Sequence, residues 1–480
     1  MSKTFKNIVY VTIQQFVNTI LPFMTVPYIA RVLGIEQNGV FSYTLTWVNL
    51  FAVVFSFGFA VHGTNIIAQS KGNVRDVKYL EIQVLRMSFL IVGLLLFFIF
   101  VYFNSTEYPK IIFYLQGLII LANFFDNSWY YQGTGEFKKI VTRNIIIKLV
   151  GTLSVFLFVK EPNDLWVYIL LVNGSQLLGN IILFKDTLPL FRKINLLRKK
   201  NLQLHLKVSF LLFLPNVSVL IYSSFDKLLL GSHDITGLSN YQQVQRIIGF
   251  IYTFLMIPSP VLIQKVASLR AKKENDSAEL IIRKGLNIYL ILGLFLFTGI
   301  VLCSKEFIYL FLGPEYVGAI KLFIIISPVL IFKTLGGVIG GWYLIPLGKN
   351  KIHSFPLVIA TLVSVVLNFL LTRSIGVIAA TIIFVLVEGL VIVIQFVYSR
   401  KVISFFDKKN ILIFICIFII AFFSTTFLLK IGYINILTNN SLSKLLMSGL
   451  SYIFLTLIIG LGIRSTRDFI KSQVKLFKER

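Results

Sequence analysis

Residues 375–398 read IGVIAATIIFVLVEGLVIVIQFVY. One charged side chain, Glu388, stands among them, and no proline. A helix on the surface of a water-soluble protein turns a polar residue to solvent every three or four positions; this stretch has no such face. Roughly 20 consecutive apolar residues cross the hydrocarbon core of a bilayer, so the stretch reads as a transmembrane helix.

The same pattern recurs on both sides of it. About fourteen runs qualify, at 8–29, 40–61, 83–103, 111–132, 140–159, 164–184, 206–229, 240–262, 286–304, 318–345, 353–372, 375–398, 410–430 and 445–463. Composition agrees: 56% of the 480 residues are hydrophobic, 46 are Phe and only 14% are charged, against roughly 25% charged in a soluble chain. Mean hydropathy is +0.84. These values predict an all-α integral membrane protein. The first run begins near Ile8 with no small-residue cleavage site after it, which reads as a retained helix and not a signal peptide.

The net charge is +26. The basic residues sit in short segments between apolar runs, and no basic stripe is interleaved with aromatic platforms, so the partner they suggest is anionic membrane lipid and not nucleic acid. Their placement also sets topology. With a cytoplasmic N-terminus, 34 of the 46 lysines and arginines fall in inside segments and nine in outside loops. The alternation survives to the basic tail with Arg464, Arg467, Lys471, Lys475, Lys478 and Arg480. It predicts an even number of spans with both termini cytoplasmic.

The sequence repeats weakly. Leu33-Gly34, Gly39 and Tyr43 match Leu230-Gly231, Gly237 and Tyr241; Trp129-Tyr130, Gly135 and Lys138 match Trp342-Tyr343, Gly348 and Lys351. Both pairs relate one helix to the sixth after it. An even offset keeps direction, which predicts a parallel repeat of two six-helix lobes. The expected organisation is 1–185 as an N-lobe, 186–206 as a basic cytoplasmic linker, 207–400 as a C-lobe, and 401–480 as two appended helices with the basic tail. Pro22 and Pro215 stand mid-span in the first helix of each lobe, where each frees a carbonyl.

A charge at mid-bilayer costs roughly 2.5–3.5 kcal/mol on insertion scales, so each one needs a reason. The candidates are Lys148, Arg246, Lys333, Arg31, Asp126, Asp226 and Glu388. The functional reading is a wet cavity in which Lys148, Arg246 and Lys333 receive an anionic substrate and the acids pair with them or carry protons. The structural reading has Asp226 paired locally and Arg31 snorkelling to headgroups. The glycines of Gly336-x3-Gly340 and Gly337-x3-Gly341 read as a helix-packing motif.

Covalent chemistry is not expected. The four histidines, His62, His205, His233 and His353, lack metal-ligand spacing. Neither a Walker A pattern nor GxSxG occurs, and Cys303 and Cys416 suggest no disulfide framework. No metal or other cofactor is expected, and no loop is long enough for a soluble catalytic domain.

Three stretches carry a resemblance: Ala30-Arg31-Val32-Leu33-Gly34 with Gly39-Val40-Phe41-Ser42-Tyr43; Asp126-Asn127-Ser128-Trp129-Tyr130-Tyr131-Gln132-Gly133 with Phe137-Lys138; and Phe225-Asp226-Lys227 with Leu230-Gly231, Tyr241 and Gln242. In order over about residues 1–400, the chain resembles the polysaccharide repeat-unit (Wzx-like) flippases of the multidrug/oligosaccharidyl-lipid/polysaccharide exporter superfamily. That resemblance implies a bacterial cytoplasmic-membrane protein of surface polysaccharide synthesis (O-antigen, capsule or exopolysaccharide). Its implied substrate is an undecaprenyl-pyrophosphate-linked oligosaccharide, turned to the outer leaflet by alternating access. The implied partners are a polysaccharide polymerase and assembly proteins. Two other readings stay open: an ion-coupled drug exporter of the same superfamily, which predicts an acidic cavity, and a membrane polymerase, which predicts a sizeable outer loop.

Overall fold

A computed structural model describes residues 3–104, 107–430 and 441–469. Lys471, Lys475, Lys478 and Arg480 of the expected basic tail lie outside them. Among the described residues the secondary structure is helical throughout. Among those residues eleven helices are long and apolar enough to cross a membrane, or thirteen if each of two bent pairs is one span.

The chain forms two compact units, Met1–Gln242 with Val365–Val377, and Gln243–Ser364 with Ile378–Arg480. The first holds α1 (Lys3–Ser56), α2 (Phe59–Ala68), α3 (Gly72–Phe103), α4 (Lys110–Gln116), α5 (Leu118–Phe124), α6 (Ser128–Thr134), α7 (Phe137–Phe158), α8 (Leu165–Lys185) and α9 (Lys199–Gly231). α10 (Ile235–Leu255) and α15 (Asn350–Ile375) each run through a boundary between units. The second unit holds α11 (Ser259–Ala271), α12 (Asn275–Phe311), α13 (Val317–Ile326), α14 (Val329–Gly337), α16 (Val377–Tyr398), α17 (Arg400–Ile403), α18 (Lys408–Lys430) and α19 (Ser441–Gly462).

One difference from the sequence expectation concerns 8–29 and 40–61. They form one helical run, α1, broken inside at Gly34, where φ is 73° and ψ 177°. Only glycine reaches that backbone region freely. Asn38 Nδ2 donates to the carbonyls of Gly34 at 2.8 Å and of Ile29 at 3.1 Å. Nine residues of straight helix would separate Ile29 and Asn38 by about 13.5 Å; the second bond therefore requires the chain to fold at Gly34. A loop was expected because apolarity lapses there, yet the break needs only one residue.

The 186–206 segment is not a loose tether. Residues Leu188–Leu196 form a 3-10 stretch, and Leu190, Phe191 and Leu197 pack on a buried cluster with Phe59, Tyr79 and Trp129. Lys193 Nζ meets Asp76 Oδ2 at 2.7 Å. Within α9, Lys199–Phe213 and Val217–Gly231 meet at a bend of 52°.

The repeated motifs have a packing reason. Within the first unit, a Cβ on Gly39 would meet the Ile235 carbonyl oxygen at 2.3 Å, and one on Gly231 would meet the Tyr43 ring at 2.1 Å. The two tryptophans cover glycines as well: Trp129 lies on Gly63 in the first unit and Trp342 on Gly285 in the second. Both rings are fully buried.

Candidate functional site

Helix α1 carries Pro22 in its interior. A proline nitrogen has no hydrogen, so the carbonyl four residues back loses its helical donor. That carbonyl belongs to Asn18. Lys148 on α7 supplies a replacement, its Nζ donating to Asn18 O at 3.4 Å. An irregularity written into one helix thus receives a cation from another.

The two meet at a cavity of about 470 Å³ inside the first unit, lined from α1, α5, α6, α7 and α8. This lies in the range of small-molecule sites, about 300–1,000 Å³. Besides Lys148 its walls carry Arg143, Asp126, Asn123, Asn144, Thr152, Gln176 and Asn180. α7 and α8 each turn one stripe at helical spacing to the cavity: 144, 148, 151, 152 and 155 on α7, with Asn144, Lys148 and Thr152 polar, and 172, 175, 176 and 180 on α8, with Ser175, Gln176 and Asn180 polar.

A hydrogen-bonded chain fixes one wall. Arg86 donates to the Asp126 carbonyl oxygen, and its Nη2 stands 3.5 Å from Asp126 Oδ2. Asp126 Oδ1 accepts from the Ser128 N–H at 3.0 Å. Ser128 Oγ in turn accepts from Arg143 Nη2 at 3.3 Å. Asp126 is therefore shared between a buried arginine behind the wall and a serine in it. Among the described residues no carboxylate stands within 4.0 Å of the Arg143 or Lys148 nitrogens, whereas Asp126 has Arg86. The cavity holds an excess of positive charge.

The other sequence candidates lie elsewhere. Asp226 is buried in the first unit, accepting from the Tyr241 hydroxyl and from the Lys227 N–H at 2.8 Å. Arg31 is exposed on α1, and Arg246 is half-buried on α10. In the second unit Lys333 Nζ lies 3.1 Å from Glu388 Oε1, with side chains 30% and 8% exposed. The Lys333 ammonium also stands 5.3 Å from the Phe384 ring centre and 6.0 Å from that of Tyr252. Close by, Gly340 leaves room for His353: a Cβ there would meet His353 Nδ1 at 2.6 Å.

Sequence reading missed Arg86 and Arg143, which it placed among inside-loop cations. It also missed a buried network in the first unit. His62 Nε2 and His205 Nδ1 are 2.8 Å apart, His205 Nε2 is 3.1 Å from Glu81 Oε2, and Asn201 Nδ2 donates to Glu81 Oε1 at 2.8 Å. With Glu81 accepting from His205 Nε2–H, His205 Nδ1 accepts from His62, a tautomer assigned from the bonds. The network ties α2 and α3 to the start of α9. Nothing in the spacing of these residues signals it, because they come from three separate elements. Among the described residues no group of histidine, cysteine and carboxylate side chains could hold a metal ion.

Comparison with known proteins gives this geometry a family. A curated relative from Shigella dysenteriae, named "Putative O-antigen transporter", is 25% identical over 388 residues, covering 77% of this chain and 93% of its own. One of the same name from Escherichia coli strain K12 is 24% identical over 407 residues, covering 82% and 96%. Among solved structures, the lipid II flippase MurJ in an inward closed conformation superposes with a TM-score of 0.75 at 17% identity, covering 96% of this chain and all of its own. An inward-facing multidrug resistance MATE family transporter of the MOP superfamily gives 0.60 at 12% identity, over 82% and 98%. The structures establish the shared fold. The relatives are named transporters and not enzymes, and the chain is a multi-pass protein of the bacterial inner membrane. Residues 4–263, more than half of the sequence, match the family described as polysaccharide biosynthesis protein, and the chain belongs to that family.

Proposed function

We propose that this protein is a flippase that carries an undecaprenyl-pyrophosphate-linked oligosaccharide from the cytoplasmic to the outer leaflet during surface polysaccharide synthesis. The observation that carries this reading is the first-unit cavity, where Arg143 and Lys148 face a space walled by amides and hydroxyls. A sugar is recognised by side-chain amides and hydroxyls, and a pyrophosphate by Arg and Lys. Neither crosses hydrocarbon unaided, because its polar groups would lose their hydrogen bonds to water. The polyprenyl tail has no such need and stays in the bilayer. Relatives named as O-antigen transporters support the same substrate class.

On this reading α1 crosses the membrane twice, folding at Gly34, which brings the total to fourteen spans with both termini cytoplasmic. The first six spans and the next six act as two lobes in alternating access, followed in the chain by two appended spans. Lys148, Asp126 and the newly found Arg143 contact substrate. Lys333 and Glu388 form a second polar point in the other unit. A polymerase acts after this protein on the same lipid-linked units. The drug-exporter reading fits less well, since organic cations call for an excess of acid and the cavity has the reverse.

Depletion of the protein in its host, followed by extraction of polyprenyl-linked sugars from each leaflet, tests the proposal. Complete repeat units accumulating on the cytoplasmic leaflet support it. Unpolymerised units appearing on the outer leaflet would make the protein a polymerase. Unchanged lipid-linked sugars with new sensitivity to cationic drugs would make it an exporter.

A further inference from the structure

Beyond the transported substrate, the second unit carries an apolar groove with a basic mouth. Val393, Phe396 and Val397 share one face at the end of α16, and after a break at Ser399 the short α17 and its C-terminal cap add Arg400, Ile403 and Ser404. Phe406, in the bend before α18, and Lys408, its first residue, complete the groove. Its open volume is about 690 Å³. Val393 and Val397 are 56% and 54% exposed, so the apolar wall faces outward along a membrane helix.

The charges around the groove divide sharply. Lys401 Nζ is held by Glu279 Oε1 at 2.6 Å, and that bond raises its ammonium above the ordinary lysine value. Asp407 is occupied too: Oδ1 accepts from the Asn410 N–H at 3.2 Å and Oδ2 from Asn410 Nδ2 at 2.7 Å. Arg400 and Lys408 are exposed, and among the described residues neither has a carboxylate within 4.0 Å. The Ser404 hydroxyl donates to the Lys401 carbonyl at 2.7 Å and offers a ligand only lone pairs.

We propose that this groove binds an anionic glycerophospholipid, its phosphate between Arg400 and Lys408 and an acyl chain along Val393, Phe396 and Val397. Charge complementarity selects the occupant: two uncommitted cations match a phosphodiester. The walls select against a sugar-bearing lipid, because Ser404 is their sole uncharged polar side chain and its hydrogen is spent. The first-unit cavity, rich in amides, is the opposite case. The site is independent of what the protein transports.

The test uses the full-length protein, purified and delipidated in detergent, titrated with phosphatidylglycerol or phosphatidylcholine and read by native mass spectrometry. Wild type retains phosphatidylglycerol in preference to phosphatidylcholine. Arg400→Gln or Lys408→Gln weakens phosphatidylglycerol about fivefold, and the double variant about thirtyfold, as expected for loss of one and two cations. Lys401→Gln leaves binding unchanged, and Val397→Trp, which fills the groove, removes it with both cations present. Undiminished binding by the double variant overturns the proposal. So does an equal loss in Lys401→Gln, which would mean diffuse attraction to a basic edge. Displacement by inorganic phosphate as readily as by phosphatidylglycerol would make this a phosphate site without lipid, and preference for undecaprenyl phosphate would assign it to the substrate.

Discussion

Lys148 in the first unit and Lys333 in the second carry the same signal in the sequence, a lysine deep in an apolar helix. Their surroundings differ. Lys333 meets Glu388 at 3.1 Å and two aromatic rings, a closed arrangement in which charge is matched by charge. Lys148 meets one backbone carbonyl, left over by Pro22, at the edge of a 470 Å³ cavity. A buried charge can thus serve structure by being neutralised or serve binding by being left in surplus. The partner decides which, and the partner comes from another helix.

The largest expected effect tests the closed arrangement. Glu388→Ala strands the Lys333 ammonium in a mostly buried position. Removing one member of a buried pair costs roughly 3–5 kcal/mol, and the 30% exposure of the Lys333 side chain puts this loss at the lower end. Thermal unfolding of the purified protein in detergent reads this loss. The double change Lys333→Met with Glu388→Leu restores much of it, since no charge remains to be solvated. A double variant as unstable as the sum of its singles would break the idea that the two residues act as a pair.

The next effect tests the open arrangement. On the proposed function, Arg143→Ala and Lys148→Ala each remove a charged donor to the substrate, worth about 1.5–3 kcal/mol, or roughly ten- to a hundredfold in substrate affinity. Thermal stability changes little, because the lost hydrogen bonds to the Asn18 carbonyl and the Ser128 hydroxyl are offset by removal of a surplus cation that is itself unfavourable inside a membrane protein. Binding of a lipid-linked oligosaccharide to detergent-solubilised protein, measured beside the melting curve, separates the cases. Loss of stability in step with loss of binding would make these residues structural, like Lys333.

The charges themselves were legible in the sequence but the contrast between them was not, and the limits have physical causes. Lys148 and Asp126 were visible because a charge inside an apolar run is costly wherever it points. Arg143 was not, because it stands in the second turn of α7, where a basic residue also satisfies the positive-inside pattern. Asn144, Lys148, Thr152 and Val155 recur at helical spacing, and that stripe was the signal available to find the face they share. Arg86 hid in the same way: it stands near the start of the apolar run 83–103, though midway along α3. The helical membrane fold followed from hydropathy alone, yet the turn inside α1 rests on Gly34 and Asn38, one backbone angle and one side chain, too small a feature for a window of twenty residues. Pairings such as Lys333 with Glu388, or Glu81 with His205 and His62, depend on which helices touch. Periodicity within a single helix does not encode that.

The smallest expected effect sharpens the comparison most. Lys148→Arg keeps the positive charge and roughly the reach, and changes only its shape from a point to a planar fork. If Lys148 acts through surplus charge, the arginine still meets the Asn18 carbonyl and the anion, and affinity falls by no more than about threefold, a difference of ~0.65 kcal/mol from RT near 0.59 kcal/mol. Lys333→Arg likewise keeps its bond to Glu388, since guanidinium and carboxylate pair well, and the melting curve stays near wild type. An arginine at 148 as damaging as alanine would show that the cavity reads the volume at this position and not its charge. The unpaired cation would then lose its place as the feature that distinguishes the first unit from the second.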